Sequence, residues 1–478
     1  MAQDSGLSEI YEHAKSAEQS GDYKTAAADY ERIIKLSPAM AEAYANAGSL
    51  YYAQGETVKA EARFRKAITL KPALSGPYFF LGLLDFKKHA YREALAFFEQ
   101  AETRDPSNQI VESYLGYTQY AVKDYEQAAA HLERAANSTP KDIDVFYHLS
   151  KVYAELAKQD FQSLDRRFPE SLYLSLATAH LYEAQKNWPL AARDYGRAAA
   201  KQPGNKRLQE KVRQAEDGRQ EASGGTGASV DLKNSVDGAL ALFYQPPPGD
   251  KIPDTIRIYQ ERAQRLRGDK TSSAEELYEL TEGDQALSYL TAQWVFEIDP
   301  DSYRAHQMKG QYYEEAHEDE KAIAEYRKAL AINAQLPNLH FLIGNLYWKS
   351  EKPEQALPEL QAELESDPNN PQALYELGDI FAGRSAPAQA ESCLLRAIEI
   401  DPRMEEPRLA LAALYAESRR VDQALAQLQK AAEINPADPA PHYRLSKLYQ
   451  QTGRAELSRT ELARFSKLKG ELPSRALQ

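Results

Sequence analysis

The chain has 478 residues, of which 43% are hydrophobic and 27% charged, a composition that marks a folded protein rather than a disordered one. Its 58 basic against 71 acidic side chains give a net charge of −13, which argues against nucleic acid or an anionic membrane as the main partner. One cysteine, Cys393, rules out an intramolecular disulfide and a thiolate metal cluster, and no apolar run reaches the ~18 residues of a membrane span.

Met1 to Gly6 contain neither a basic nor an apolar leader, so no signal peptide is expected. The compartment reads as cytoplasmic, or as periplasmic or secreted if a signal was removed ahead of Ala2. Further on, Pro38, Pro72, Pro106 and Pro140 stand 34 residues apart, and the spacing returns between Pro169 and Pro203 and through Pro368, Pro402 and Pro436. A fixed period of this size predicts a solenoid of repeated helix pairs. Residues 41–72 show the unit. Tyr44, Ala47, Gly48 and Tyr51 lie on one face of a first helix, Gly55 and Glu56 turn the chain, and Ala60, Phe64, Ala67 and Ile68 line a second helix that Pro72 stops. Gly48 and Ala60 are small because two helix axes must pass within ~8–10 Å there. The same places hold Gly82 and Ala94, Gly116 and Ala128, Gly310 and Ala322, Gly344 and Ala356, and Gly378 and Ala390.

These residues resemble the tetratricopeptide repeat. Residues 41–72, 75–106, 303–334, 337–368, 371–402 and 405–436 match best, and 7–38, 109–140, 172–203 and 439–468 more loosely. The resemblance implies an all-α fold, an α-solenoid in which antiparallel helix pairs form a right-handed superhelix, here as two arrays joined by an irregular insertion. The expected N-terminal array, residues 1–216, has about six repeats. Its fifth is shortened, because Pro169 follows Pro140 by only 29 residues. Residues 217–268 are expected to be the insertion, with the apolar stretch 239–244, three prolines at 246–248 and a short helix over 253–267. Residues 269–478 form the C-terminal array of about five to six repeats, closed by a charged capping helix. In its first, degenerate repeat Gly283 and Asp284 are expected to break the first helix.

Catalytic patterns are missing. No histidine pair has the spacing of a helical metal site, Cys393 has no histidine near it in sequence, and no nucleophile, kinase or dinucleotide motif is present. No cofactor, metal or enzymatic activity is expected. The resemblance implies a scaffold for a protein or peptide partner, in the style of bacterial proteins of this type. In such superhelices the second, fifth, ninth and twelfth residues of each first helix line the concave face. Those positions give an aromatic stripe across repeats two to five: Tyr52, Phe79, Leu83, Phe86, Tyr117, Tyr120 and Tyr147. Two readings of it stand, a groove for an extended peptide or partner helix and plain packing between repeats. A second patch is Phe341, Asn345, Trp348 and Tyr375. Some family members clamp a C-terminal carboxylate with cations and asparagines, but here Tyr11, Lys15, Asn46, Gly76 and Phe80 stand at those places, and only Asn46 agrees. Self-association of array ends into oligomers or filaments is the alternative function.

Overall fold

The computed structural model describes residues 2–222, 252–267 and 273–471; among them lie 24 helices and no strand, and 82% of the chain is helical. The apolar stretch 239–244 and the prolines 246–248 lie outside the described residues. No described helix is long and apolar enough to cross a membrane. The chain is an all-α solenoid in two arrays joined by an insertion. By contact it divides into two compact units, Met1–Arg304 and Ala305–Gln478. The array boundaries expected near 216 and 269 both fall inside the first unit.

The first unit opens with four helix pairs: Ala2–Gln19 with Tyr23–Leu36, Ala41–Ala53 with Thr57–Leu70, Ser75–Lys87 with Tyr91–Arg104, and Gln109–Ala121 with Tyr125–Ser138. Each pair is held by a small residue under a large one. A Cβ on Gly82 would stand 2.6 Å from Phe98 Cε1, and one on Gly48 would stand 2.6 Å from Phe64 Cε1. Ala60, Ala94, Phe64 and Phe98 are all fully buried at these crossings. The second unit repeats the arrangement, with Leu360 against Gly344 and Leu394 against Gly378.

The turn inside each pair requires one residue at positive φ. Gly21, Gly55 and Gly453 supply it at 79°, 75° and 73°, where glycine carries no Cβ penalty. At the same place in other repeats His89, Lys123, His317, Glu351, Ser385 and Arg419 take φ between 56° and 67°. Residues that rarely adopt this conformation hold it here because the packed helices on either side fix it.

The fifth repeat departs from expectation. Ile143–Arg167 is one unbroken helix of 25 residues, begun by Asp142, whose carboxylate accepts from the amides of Asp144 and Val145. Ala274–Ile298 is a second 25-residue helix, started by a capping box of Ser273 and Glu276. Gly283 and Asp284 sit inside it and break nothing. The two long helices are each other's partners. Trp294 Nε1 donates to Pro140 O at 3.1 Å, and Ser288 Oγ to Ser150 O at 2.8 Å, so the helices run antiparallel. One helix pair is thus assembled from halves more than a hundred residues apart in sequence. Between them, Leu172–Ala184, Trp188–Lys201 and Lys206–Ala222 form a branch, which meets the long pair through Leu164, Leu174, Ala177 and Leu277.

The expected short helix runs from Ile252 to Arg267, buries Ile252, Ile256 and Ala263, and adds polar contacts to Tyr125–Ser138 and to the long pair. Gln260 Nε2 donates to Tyr153 Oη at 2.8 Å, and Gln264 Nε2 to Glu133 Oε2 at 2.7 Å. Arg267 pairs with Asp284, which is fully buried, and reaches Asp160 at 3.6 Å. Burial pushes both carboxyls up, Asp284 to about 8, while the Arg267 guanidinium opposes the shift.

Three outcomes follow from this packing. Ending the chain at residue 216 removes the partner of Ile143–Arg167, so a 1–304 fragment should unfold cooperatively by circular dichroism whereas a 1–216 fragment should aggregate or melt broadly. Gly82→Ala should cost about 1–3 kcal/mol by overpacking Phe98, whereas Gly196→Ala, in a helix with nothing within 4 Å of the added Cβ, should gain about 0.5–1 kcal/mol in the same denaturant titration. Asp284 has a folded value above its unfolded one, so the stability it contributes is present below pH ~4 and is lost as the pH rises through about 8. Asp284→Asn should therefore gain on the wild type in melting temperature as the pH is raised from ~5 to ~8.5; a constant offset would show that the carboxyl is ordinary.

Candidate functional site

The N-terminal stripe lies on the first helices of repeats two to five, where a 34-residue period returns each side chain to the same face. Its rings are mostly engaged with one another. Phe79 meets Phe80, Phe98 and Tyr114 with centroids 5.7, 5.8 and 5.6 Å apart, and Phe86 meets Tyr91 and Tyr114. Leu83 and Tyr147 are each only 7% exposed and present no binding surface. Tyr117 is half-buried and lies 4.1 Å from the His148 ring. Burial pushes its hydroxyl far up and that of Tyr120 up to about 12.

The fifth repeat's end of the stripe is closed by residues that follow the second long helix. Arg304 places its guanidinium 4.4 Å over the Tyr147 ring and donates from Nε to Asp144 Oδ1 at 2.6 Å, while Tyr303 Oη donates to Asp144 Oδ2 at 2.5 Å. Burial and the nearby Arg304 hold His148 down to about 4, so it is neutral at physiological pH. Phe79 and Tyr117 are half-buried, as are Tyr52, Phe86 and Tyr120, which share one register position as the twelfth residue of three successive first helices. The Lys87 ammonium sits 4.6 Å over the Tyr52 ring.

The second patch is built on Leu339–Lys349 and Pro371–Gly383. Phe341, Trp348 and Tyr375 are half-buried and Asn345 is buried. Trp348 and Tyr375 meet edge to face at 5.8 Å, and Trp348 Nε1 donates to Asp379 Oδ2 at 2.9 Å. Asn345 Nδ2 donates to Glu376 Oε1 at 2.5 Å, joined by Gln372 Nε2 at 3.4 Å. Glu376 is fully buried, and its Oε2 has no hydrogen-bond partner among the described residues. Burial raises its carboxyl to about 7 against the pull of Asn345 and Gln372. Sequence reasoning passed over Glu376, although an acid stands there in a slot that Phe80, Tyr114, Met308 and Leu342 fill in other repeats.

Elsewhere, the ligand atoms of Glu102, Glu112 and His131 lie within 4.8 Å of one another. Arg134 already spans both carboxylates, at 3.4 and 2.9 Å, and supplies the positive charge that they need. Cys393 is half-buried, and burial raises its thiol, which keeps it in the unreactive protonated form. A groove of about 340 Å³ runs between Ile252–Arg267 and Ala274–Ile298, lined by Tyr259, Leu266, Tyr278 and Tyr289.

Sequence models described as tetratricopeptide repeat match residues 11–75 and 341–405, and again 86–151, 381–442 and 415–470; one described as TPR repeat matches 310–351. No curated protein matches the chain. Among solved structures it is similar to YrrB, titled a TPR protein with an unusual peptide-binding site, at 21% identity over 38% of this chain and 93% of that one, with a TM-score of 0.33. PilF of Pseudomonas aeruginosa is 18% identical over 47% of this chain and 95% of its own, with a TM-score of 0.35. The Naa15/Naa10 structure bound to HypK-THB is 14% identical over 98% of this chain and 94% of that one, with a TM-score of 0.39. Likenesses of this strength concern the fold alone. The repeat models together span more than half of the residues, in both units, and the chain belongs to the tetratricopeptide repeat family.

Proposed function

We propose that this protein is a non-enzymatic scaffold that binds an extended peptide, or a helix of a partner protein, along the first helices of its first unit. The observation that carries the reading is the row of Tyr52, Phe86 and Tyr120. Three large rings recur at one register position and stay half-exposed, each resting on a neighbouring ring: Tyr52 on Phe80, Phe86 on Tyr91 and Tyr114, and Tyr120 on Tyr125. Aromatic side chains kept partly in water at a regular spacing offer anchors at low entropic cost. The row covers roughly 20 Å, the reach of about six residues of extended chain. Membership of the family supports the coarser statement, a protein-interaction scaffold, and the finer one rests on this row.

Self-association is the second reading, favoured by the exposure of Leu457 and Leu462 on the terminal helix. Light scattering over a concentration series separates the two, since only self-association makes the mass grow. The groove reading is tested by pulldown from the source cells with wild type and a Tyr52→Ala, Phe86→Ala, Tyr120→Ala variant. Both proteins are first matched for helicity and melting. A partner recovered about tenfold less by the variant supports the row; equal recovery places the working surface elsewhere.

A further inference from the structure

We propose that the face of the second unit around Trp348 and Tyr375 is a binding site for a basic side chain, the lysine or arginine of a peptide partner. The proposal deepens the scaffold reading and rests on it, but it concerns the other array and a chemistry of its own.

Two aromatic rings and two carboxyls converge there. Trp348 and Tyr375, both half-buried, meet edge to face, and Trp348 also touches the exposed Asp379; aromatic rings next to a carboxylate are the pairing that recognises ammonium and guanidinium groups. Asp379 is held in place by the Trp348 indole N–H, so the rim of the site is already ordered. Behind it lies Glu376, one oxygen tied to Asn345 and Gln372, the other without a donor among the described residues. A buried carboxyl oxygen without a donor is a standing cost, which a positive charge brought onto this face would relieve.

The surrounding charge agrees. Acting on Tyr375 and Glu376 are Asp379 from the same helix, Lys349 from Leu339–Lys349, Glu406 from Glu406–Glu417 and Arg444 from Pro439–Gln451. The Arg444 guanidinium donates to Leu409 O at 3.0 Å, and Lys349 stands in solvent. With Glu376 ionised, three acids face two cations, and with it protonated the numbers are equal; a net charge of −13 also steers basic partners toward the molecule. A peptide C-terminal carboxylate, by contrast, would meet like charge. Because a bound cation favours ionised Glu376, whose carboxyl is raised to about 7, affinity should increase as the pH rises through that value.

The test is fluorescence polarisation of the full chain with a labelled peptide of about twelve residues. The peptide carries a central Lys-Arg pair in a Ser, Ala and Leu background, and its counterpart carries Gln-Gln. Salt is kept near ~0.15 M to screen diffuse attraction. The basic peptide is expected to bind at least about tenfold tighter, which corresponds to 1.4 kcal/mol. Asp379→Asn and Glu376→Gln should each lose most of that preference, and Glu376→Gln should also flatten the pH profile. Glu399→Gln, an exposed acid on the second helix of the same repeat, should leave both unchanged. Circular dichroism first shows that the variants fold; should Glu376→Gln not fold, Asp379→Asn decides. Equal binding of both peptides would overturn the cation site and leave the scaffold reading standing. Equal losses from Glu399→Gln and Asp379→Asn would reduce it to diffuse charge, and no binding of either peptide would overturn it outright.

Discussion

Everything in this molecule depends on the distance between two helix axes at their crossing. A residue without a side chain, or with one methyl group, lets the backbones approach, and a large ring or leucine then fills the notch. Gly82 and Ala94 with Phe98, and Gly344 and Ala356 with Leu360, are the same solution in different units. Packing to the density of an organic crystal leaves no slack at these points. A solenoid has no central core to absorb an error, so each crossing must be right by itself and against its two neighbours. The cost is visible in the turns. His89, Lys123 and Arg419 are held in a left-handed conformation that their side chains disfavour, because the helix pair leaves the chain no other way round.

Most of this was legible in the sequence, since periodicity and size are properties of residues close together in the chain. The 34-residue spacing and the small and large positions come from contacts within a repeat or between adjacent ones, and the helix at 252–267 shows in its own apolar spacing, although its docking partners do not. The fifth pair was not legible for the opposite reason. Nothing local tells Ile143–Arg167 that its partner lies beyond residue 273, and the missing turn looked like a shortened repeat. Gly283 looked like a break because glycine weakens an isolated helix by about 1 kcal/mol. Inside a long buried pair that deficit is small against the burial of Leu277, Leu280, Leu287 and Leu290.

The candidate site divides along the same line. Which rings share a face follows from register, and Tyr52, Phe86 and Tyr120 hold the same position in three successive first helices. Which of them stay accessible depends on what arrives from elsewhere. Tyr147 is covered by Arg304, more than a hundred and fifty residues later in the sequence, and Leu83 is taken up by the contact between repeats. Glu376 shows the converse case. A carboxyl reads as solvated surface until its burial is known, and only then do its missing donor and its raised protonation point carry meaning.

The two long helices also have a mechanical consequence. They meet antiparallel, with Pro140 beside Trp294, so the point where the chain enters the pair and the point where it leaves lie at the same end. Tension drawn along the first unit from its two ends would open this pair from that end, like a zipper. The branch at the far end, residues 172–222, would carry no load until the last turns had parted. A branch placed in this way is sheltered from whatever stretches the array, and the pair that encloses it acts as its clasp.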